Sequence, residues 1–348
     1  MRAVTIGQNE AGQRLDKFLN KYMKEAGVSF FYKMMRKKNI VLNGKKCTGK
    51  EILLIGDEVK LFLAEETLEK FGAPPADYSA QKKAAGAETK EYLLAFEKLK
   101  NIRILYEDED ILALDKPAGV LSQKASVADF SANEWLIGYL LSQKKLTAEA
   151  LATFHPSVCN RLDRNTTGLV IFGKNAETLR SFTRYIRERQ YVSKYYVTLV
   201  KGNLKEKLVL RDRIAKDHGT NISQVTDDAK EGKSAETFVT PIASKNGFSV
   251  VEVELVTGRT HQIRVHLSHE GHPLVGDIKY GDRRVNGMAK NKLGITTQLL
   301  HAYQLNFSGL EGNFAYLNGK TVKAKLPEEF QEALQKLGFT DKDLEAFA

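Results

Sequence analysis

A chain of 348 residues that is 42% hydrophobic can bury more than one core, and its length suits two or three domains. Its two cysteines, Cys47 and Cys159, are too far apart and too few for a disulfide framework or a cysteine metal site, which favours a reducing compartment. The net charge of +10 and pI near 9.3 invite a polyanionic partner, and residues 1–63 hold 13 Lys and Arg against 6 Asp and Glu, so most of the excess sits there.

The first residues, Met1 to Gln8, carry no apolar signal core, and no run approaches membrane-spanning length; a cytoplasmic protein with no membrane partner is expected. From Gln13, Leu15, Phe18, Leu19, Tyr22 and Met23 recur at helical spacing, with Lys17, Lys21 and Lys24 on other faces. Ser29 is the expected N-cap of a second helix through Lys38, in which Phe30, Phe31, Met34 and Met35 alternate with Lys33, Arg36, Lys37 and Lys38. Ile40 to Leu42 then meets Asn43-Gly44, a hairpin signal because both turn residues tolerate positive φ, and Glu58 to Phe62 closes the small sheet. The run Arg14-Leu15-Asp16-Lys17-Phe18-Leu19, the basic second helix and Val41-Leu42-Asn43-Gly44 together resemble the S4 RNA-binding domain. A short helix bearing four cations can lie along a phosphate backbone, so Lys33, Arg36, Lys37 and Lys38 are the candidate RNA-binding residues; the plainer alternative is a solvated charged face.

Residues 64–100 shift to Ala, Lys and Glu, and Gly72-Ala73-Pro74-Pro75 and Gln81 to Ala87 read as linker, with a helix allowed from Glu88 to Leu99. Strands are expected at Ile104 to Tyr106 and Ile111 to Asp115, around an acidic turn, followed by Lys116-Pro117-Ala118-Gly119. Asn133 to Gln143, with the single tryptophan Trp135, reads as a core helix.

The run His155 to Phe172 is the least generic part of the chain. Arg161 and Arg164 bracket Asp163, Thr166, Thr167 and Gly168 follow, and a β-branched apolar run begins a buried strand. Nearby positive charge favours an ionised carboxylate, which can serve as nucleophile or base, although residue types alone equally allow a surface ion-pair cluster. After a basic helix from Asn175 to Arg189, alternation along Ser193 to Gly202 puts Lys194, Tyr196, Thr198 and Val200 on one strand face. Residues 203–233 are polar and interrupted by glycine, and are expected as a long mobile insertion, with strands resuming at Ala235 to Ile242 and Phe248 to Leu255. Thr260 is the expected cap of a helix that runs to about Glu270, with Gly271 as its left-handed stop. The spacing of His261, His266, His269 and His272 lacks a zinc-protease pattern, but a metal-dependent hydrolase is one alternative.

Arg161-Leu162-Asp163-Arg164-Asn165-Thr166-Thr167-Gly168-Leu169 resembles the signature loop of the RluA-type (RluC/RluD-like) pseudouridine synthases, usually His-Arg-Leu-Asp-x-x-Thr-Ser-Gly; Asn160 stands for the usual His and Thr167 for the usual Ser. Lys194-Tyr195-Tyr196-Val197-Thr198 resembles a second motif, with Thr198 for the usual Ala. Gly258-Arg259-Thr260-His261-Gln262-Ile263-Arg264 matches a third without substitution. The resemblance implies an α+β protein, with an S4 domain at 1–63, a linker at 64–100 and a catalytic domain at 101–348 built on a mixed, mostly antiparallel sheet. It implies an isomerase that converts uridine to pseudouridine in RNA without a metal or organic cofactor, since the reaction is redox-neutral. Asp163 maps to the catalytic carboxylate, Tyr196 to the active-site tyrosine and Arg264 to the active-site cation. Arg161, Leu300 and Lys116 are candidate substrate contacts, Lys116 being equally suited to support its loop, and Gly276 to Gly281 and Leu300 to Leu305 are expected to frame the cleft. Large-subunit ribosomal RNA is the expected target, with transfer RNA and a noncatalytic RNA-binding role as alternatives, and monomer is the default.

Overall fold

The computed structural model describes residues 1–73, 78–148, 150–152, 154–217, 219–220 and 222–347. The expected linker residues Pro74 and Pro75 lie outside them. Two compact units emerge, one from Met1–Lys100, Ser126–Val158 and Phe172–Ser181, the other from Asn101–Ala125, Cys159–Ile171 and Phe182–Ala348. Among the described residues, no helix is long and apolar enough to cross a membrane.

In the first unit, β1 (Arg2–Thr5), β2 (Ile40–Leu42), β3 (Lys45–Lys46) and β4 (Glu58–Leu61) form an antiparallel sheet in the order β1-β4-β2-β3. Asn43 and Gly44 turn the β2–β3 hairpin with φ of 52° and 72°, the left-handed pair a two-residue turn requires. Helix α1 (Leu15–Tyr22) buries Leu15, Phe18, Leu19 and Tyr22, and α2 (Val28–Arg36) buries Phe31, Met34 and Met35; with Ile40, Val59 and Leu61 these make one core. Gly27, not Ser29, caps α2, because the backbone is extended at Gly27 and turns helical at Val28. That leaves Lys33, Arg36, Lys37 and Lys38 exposed at its C-terminal end, where cations also complement the helix dipole.

After α3 (Glu65–Lys70) comes α4 (Tyr78–Lys98), which takes in Gln81–Ala87. The Ala, Lys and Glu that read as a linker are also strong helix formers, and here propensity prevails. Helix α5 (Ala132–Ser142) is capped by the Ser131 hydroxyl, and its Trp135 stacks on Tyr139 and meets Phe96 of α4 as core.

The second unit is organised by a sheet of β5 (Arg103–Glu107), β6 (Ile111–Lys116), β8 (Thr167–Gly173), β9 (Val192–Lys201), β10 (Leu208–Asp217), β11 (Ile222–Val225), β12 (Lys233–Lys245), β13 (Phe248–Leu255), β14 (Leu300–Phe307) and β15 (Thr321–Lys323), while β7 (Ser157–Val158) belongs to the first unit. Its path runs β11-β10-β12-β13-β9-β14-β8-β6-β5, with β15 beside β14; β7 pairs with the last two residues of β8 inside the first unit. β8 and β14 are parallel, and the pairs from β9 through β13 are antiparallel. The sheet is therefore mixed and mostly antiparallel, as expected.

Residues 203–233 correct an expectation. They form β10 and β11, a hairpin paired through Ile214↔Val225 to Asp217↔Ile222 and continued into β12 through seven pairs from Leu208↔Val239 to Ile214↔Lys233. Leu210 and Ile214 are buried while Val209, Arg211 and Arg213 are exposed, so a half-buried strand was hidden by its polar face. His218 and Asn221 lie outside the described residues.

Register sets up the site. Gly168 of β8 lies beside Ala302 of β14, which lies beside Tyr196 of β9. At Gly168 φ is 106°, and a Cβ there would sit 2.2 Å from the Ala302 carbonyl oxygen, so only glycine lets the strands close. Gly168→Ala is expected to lower the unfolding free energy by about 3 kcal/mol. Gly44→Ala, also at positive φ but with nothing within 4 Å, should cost only about 1 kcal/mol. Denaturant unfolding of both variants checks the contrast.

Candidate active site

The segment from Cys159 to Thr166 feeds β8, and its main chain is pinned at nearly every step. The Cys159 N–H donates to the Ile171 carbonyl at 2.7 Å. The Asn160 amide accepts from the Ile171 N–H at 2.7 Å and donates to the Leu169 carbonyl at 3.2 Å. The Ser122 hydroxyl accepts from the Leu162 N–H at 2.9 Å and donates to the Leu162 carbonyl at 3.0 Å. Thr167 Oγ1 meets the buried His301 Nδ1 at 2.7 Å. A loop so held presents its side chains in fixed directions.

Lys116 completes that scaffold, which corrects its expected role as a substrate contact. Its side chain is wholly buried, and its ammonium donates to the carbonyls of Pro117, Val120 and Arg164 at 3.0, 2.8 and 3.0 Å, using all three of its protons. Burial pushes its pKa down, and the Asp163 and Asp115 charges oppose that shift. It is absent from the pocket lining, because the ammonium is turned into the loop.

Asp163 emerges at the tip of the loop with its side chain 29% exposed. Arg264, on α7 (Gln262–His269), reaches it from 101 residues away, with Nη1 donating to Oδ2 at 2.8 Å. The other side of the same guanidinium is clamped by Asp277, with Nε to Oδ2 at 2.7 Å and Nη2 to Oδ1 at 2.8 Å. Asp277 has no exposed surface and also accepts the N–H groups of Lys279 and Tyr280. The guanidinium lies 5.0 Å from the Tyr280 ring centre, a cation–π distance. Burial alone would lower the Arg264 pKa, but the two carboxylates raise it.

Gln262 fixes the start of α7. Its Oε1 accepts from the Thr257 hydroxyl and the Arg259 N–H at 2.6 and 3.0 Å, and its Nε2 donates to the Glu236 carbonyl and Thr237 hydroxyl at 2.9 and 2.8 Å. The expected Thr260 cap is displaced as a result. His261, with φ of 57°, occupies the cap position, while Gly271 at φ 78° forms the expected left-handed stop.

Arg161, Leu162, Asp163, Thr166, Tyr196, Leu255, Arg259, His261, Gln262, Ile263, Arg264 and Leu300 line one hollow of about 60 Å³. Sequence reasoning named five of these, Asp163, Tyr196, Arg264, Arg161 and Leu300, and the structure brings all five together. Tyr196 is 5% exposed, and burial, reinforced by the Asp163 charge, raises its pKa, so it is a neutral phenol at pH 7. Thr198, where alanine was usual, donates its hydroxyl to the Leu299 carbonyl at 2.7 Å and so holds β9 to the segment entering β14. Helix α2 ends at Arg36, two residues short of the expected Lys38, and Lys33, Arg36, Lys37 and Lys38 all belong to the first unit.

Asp277, Tyr280 and Ser122 were not singled out from the sequence, and His261 was weighed only as a metal ligand. The one signal for Asp277 and Tyr280 was their place in Gly276 to Gly281, expected to frame the cleft, and Ser122 had none. The histidines are committed separately, His261 to Tyr280, His266 to Thr237 and His272 to the Lys201 carbonyl. Among the described residues, no three His, Cys, Asp or Glu side chains are grouped to hold a metal.

A family model described as RNA pseudouridylate synthase matches residues 110–269, which include Asp163, Tyr196 and Arg264. The ribosomal large subunit pseudouridine synthase C of Vibrio vulnificus is 30% identical over 338 residues, 97% of this chain and 96% of that one. The chain belongs to the RNA pseudouridylate synthase family. The protein of the same name from Escherichia coli K12 is also 30% identical, over 340 residues and 97% of both chains. Human RNA pseudouridylate synthase domain containing 4 covers 75% of this chain and 98% of its own at 23% identity and a TM-score of 0.53, a likeness of fold. Within the family, then, the chain is an RNA-modifying isomerase with an α+β fold.

In this synthase the Arg264–Asp277 pair is the buried element on which Asp163 rests. Asp277→Ala leaves the guanidinium with one carboxylate in place of two and is expected to cost about 3–5 kcal/mol of stability. Unfolding of the purified variant in urea measures it.

Proposed function

We propose that this chain converts uridines of large-subunit ribosomal RNA to pseudouridine with Asp163 as the essential carboxylate. The observation that carries the reading is the 2.8 Å pair between Asp163 and Arg264 in the hollow that Tyr196 and Leu300 also line. The reaction breaks the N1–C1′ bond, turns the freed uracil and rejoins it through C5, so the base must leave its stack and be held while detached. A carboxylate can attack the ring or the sugar, or take the C2′ proton; each route needs Asp163 held at the reacting atoms, and the Arg264 bond does this. Tyr196 offers a ring for stacking and a neutral hydroxyl that donates a hydrogen bond. Leu300 closes the apolar side of the hollow, and the exposed Arg161 fills the space the extruded base leaves.

The ribosomal target is supported by the names of the full-length relatives, which are ribosomal large subunit pseudouridine synthases. A transfer RNA target is the competing assignment. On this reading residues 1–63 are an S4-like RNA-binding domain, 64–100 a connection and 101–348 the catalytic domain, acting as a monomer in the cytoplasm. The exposed Lys33, Arg36, Lys37 and Lys38 follow a phosphate backbone.

Asp163→Asn is expected to abolish pseudouridine formation while RNA affinity survives; turnover by this variant would refute the role, and an inactive wild-type enzyme would favour a noncatalytic RNA-binding protein. Pseudouridine mapping in RNA from a deletion strain should show losses in large-subunit ribosomal RNA; losses confined to transfer RNA would overturn the target. Replacing Lys33, Arg36, Lys37 and Lys38 together by alanine is expected to reduce the slope of log affinity against log salt by about 3. Turnover of saturating RNA should change little, and titrations across salt concentrations measure the slope.

A further inference from the structure

We propose that His261 is a positioning residue for Asp163, held as a neutral imidazole with its proton on Nε2 by the Tyr280 hydroxyl, which is aligned in turn by a main-chain N–H of β11. The inference rests on Asp163 being the reactive carboxylate.

The chain starts from a donor whose direction is fixed. The Ser223 N–H can only donate, and it donates to the Tyr280 hydroxyl oxygen at 2.7 Å. In the proposed arrangement the single hydroxyl proton of Tyr280 points to its other neighbour, His261 Nδ1, at 2.8 Å. An Nδ1 that accepts leaves the proton of a neutral imidazole on Nε2. That Nε2 lies 3.9 Å from Asp163 Oδ2, on the lining of the same hollow, and the His261 side chain is 8% exposed. A movement of about 1 Å as RNA enters brings it into hydrogen-bond range.

Two features mark the arrangement as built. His261 holds a left-handed backbone, with φ of 57°, which costs a non-glycine residue about 1–2 kcal/mol; such outliers gather where a side chain must be aimed. The chain also reaches Ser223, in the stretch that read as an insertion, and thus ties the β10–β11 hairpin to the reacting centre.

The imidazole faces Asp163 from the loop, Arg264 from α7, Arg259 from the preceding turn, and Asp277, Lys279 and Tyr280 from the segment after α7. Burial comes first in lowering its pKa below the ordinary 6.5; Asp163 opposes the shift, and Arg264 and Lys279 add to it. His261 is therefore neutral at pH 7. Arg264 already supplies Asp163 with a full positive charge, and a neutral N–H adds direction without a second cation that would damp the carboxylate as base or nucleophile. Protonation at lower pH places a second N–H on Nδ1, facing the Tyr280 hydroxyl proton, and puts that second cation beside Asp163. Activity should fall on the acid side, below pH 6.5.

The test compares kcat and KM on target RNA from pH 5 to 8 for the full-length wild-type enzyme, His261→Ala, His261→Gln and Tyr280→Phe, with thermal midpoints recorded for each. His261→Ala is expected to lower kcat by about ten-fold or more with KM within about two-fold, the pattern of a lost interaction at the reacting centre. The glutamine amide reaches the Nε2 position, so His261→Gln should regain most of kcat and lose the acid limb. Tyr280→Phe should show an intermediate kcat, since the imidazole then takes either tautomer. A loss confined to KM, or a folded His261→Gln no better than His261→Ala, overturns the inference. Should His261→Ala misfold, a Tyr280→Phe enzyme with unchanged kcat and acid limb does the same. A wild-type enzyme that forms no pseudouridine defeats instead the reading on which the inference rests.

Discussion

The catalytic half of the structure depends on one divided guanidinium. Arg264 gives Nε and Nη2 to Asp277 and Nη1 to Asp163. A lone arginine reaching across a pocket would be free to swing, and each of its rotamers would carry Asp163 elsewhere. The planar fork removes that freedom, because two parallel bonds to a fully buried carboxylate set the plane and the third donor then has one direction left. Asp277 is itself held by the main-chain N–H groups of Lys279 and Tyr280, so the clamp ends in backbone.

The opposite side of the pair is equally constrained by a different device. Asp163 sits on a loop whose carbonyls and N–H groups are taken up by Lys116 and Ser122 and which Asn160 ties to the backbone of β8, and none of these three side chains lines the hollow. A buried ammonium with three carbonyl acceptors is a stiff tripod, since loss of any acceptor would leave a charged donor unsatisfied. The closure of β8 on β14 at Gly168 and Ala302 fixes the end of the loop, and the same row continues to Tyr196 on β9. Acid, phenol and guanidinium thus arrive from three segments by sheet register and one helix.

The reactive residues were legible in the sequence because they sit in contiguous motifs, and Asp163, Tyr196, Arg264, Arg161 and Leu300 could be named without coordinates. What positions them was not. Asp277 follows Arg264 by 13 residues, and nothing local marks it as a partner; only the turn after α7 brings it back. Lys116 was ambiguous for a related reason, since a lysine beside a motif reads alike whether its ammonium faces substrate or is buried in carbonyls. Apolar, β-branched runs recovered β9 and β13, which are buried on both faces over most of their length, and alternation recovered β12. It failed at β10, where Arg211, Asp212, Arg213, Lys216 and Asp217 break the apolar run, at the four-residue β11, and at Gln81–Ala87, where a polar, alanine-rich run suits a helix and a linker equally.

The departures from the family pattern locate the chemistry by elimination. Asn160, Thr167 and Thr198 each replace a usual residue, and each is committed to the framework, Asn160 to the backbone of β8, Thr167 to buried His301 and Thr198 to the carbonyl of Leu299. Such positions tolerate exchange because several side chains can satisfy one main-chain or buried polar group, provided the hydrogen-bond count is kept. Gly258 to Arg264 shows no exchange, and there the demands are of another kind. Gln262 must accept two bonds and donate two, His261 must meet the Tyr280 hydroxyl from a left-handed backbone, and Arg264 must serve two carboxylates from one plane. Each of these side chains serves several partners at once, so the segment that shows no exchange is also the one in which a single exchange disturbs the most buried polar groups.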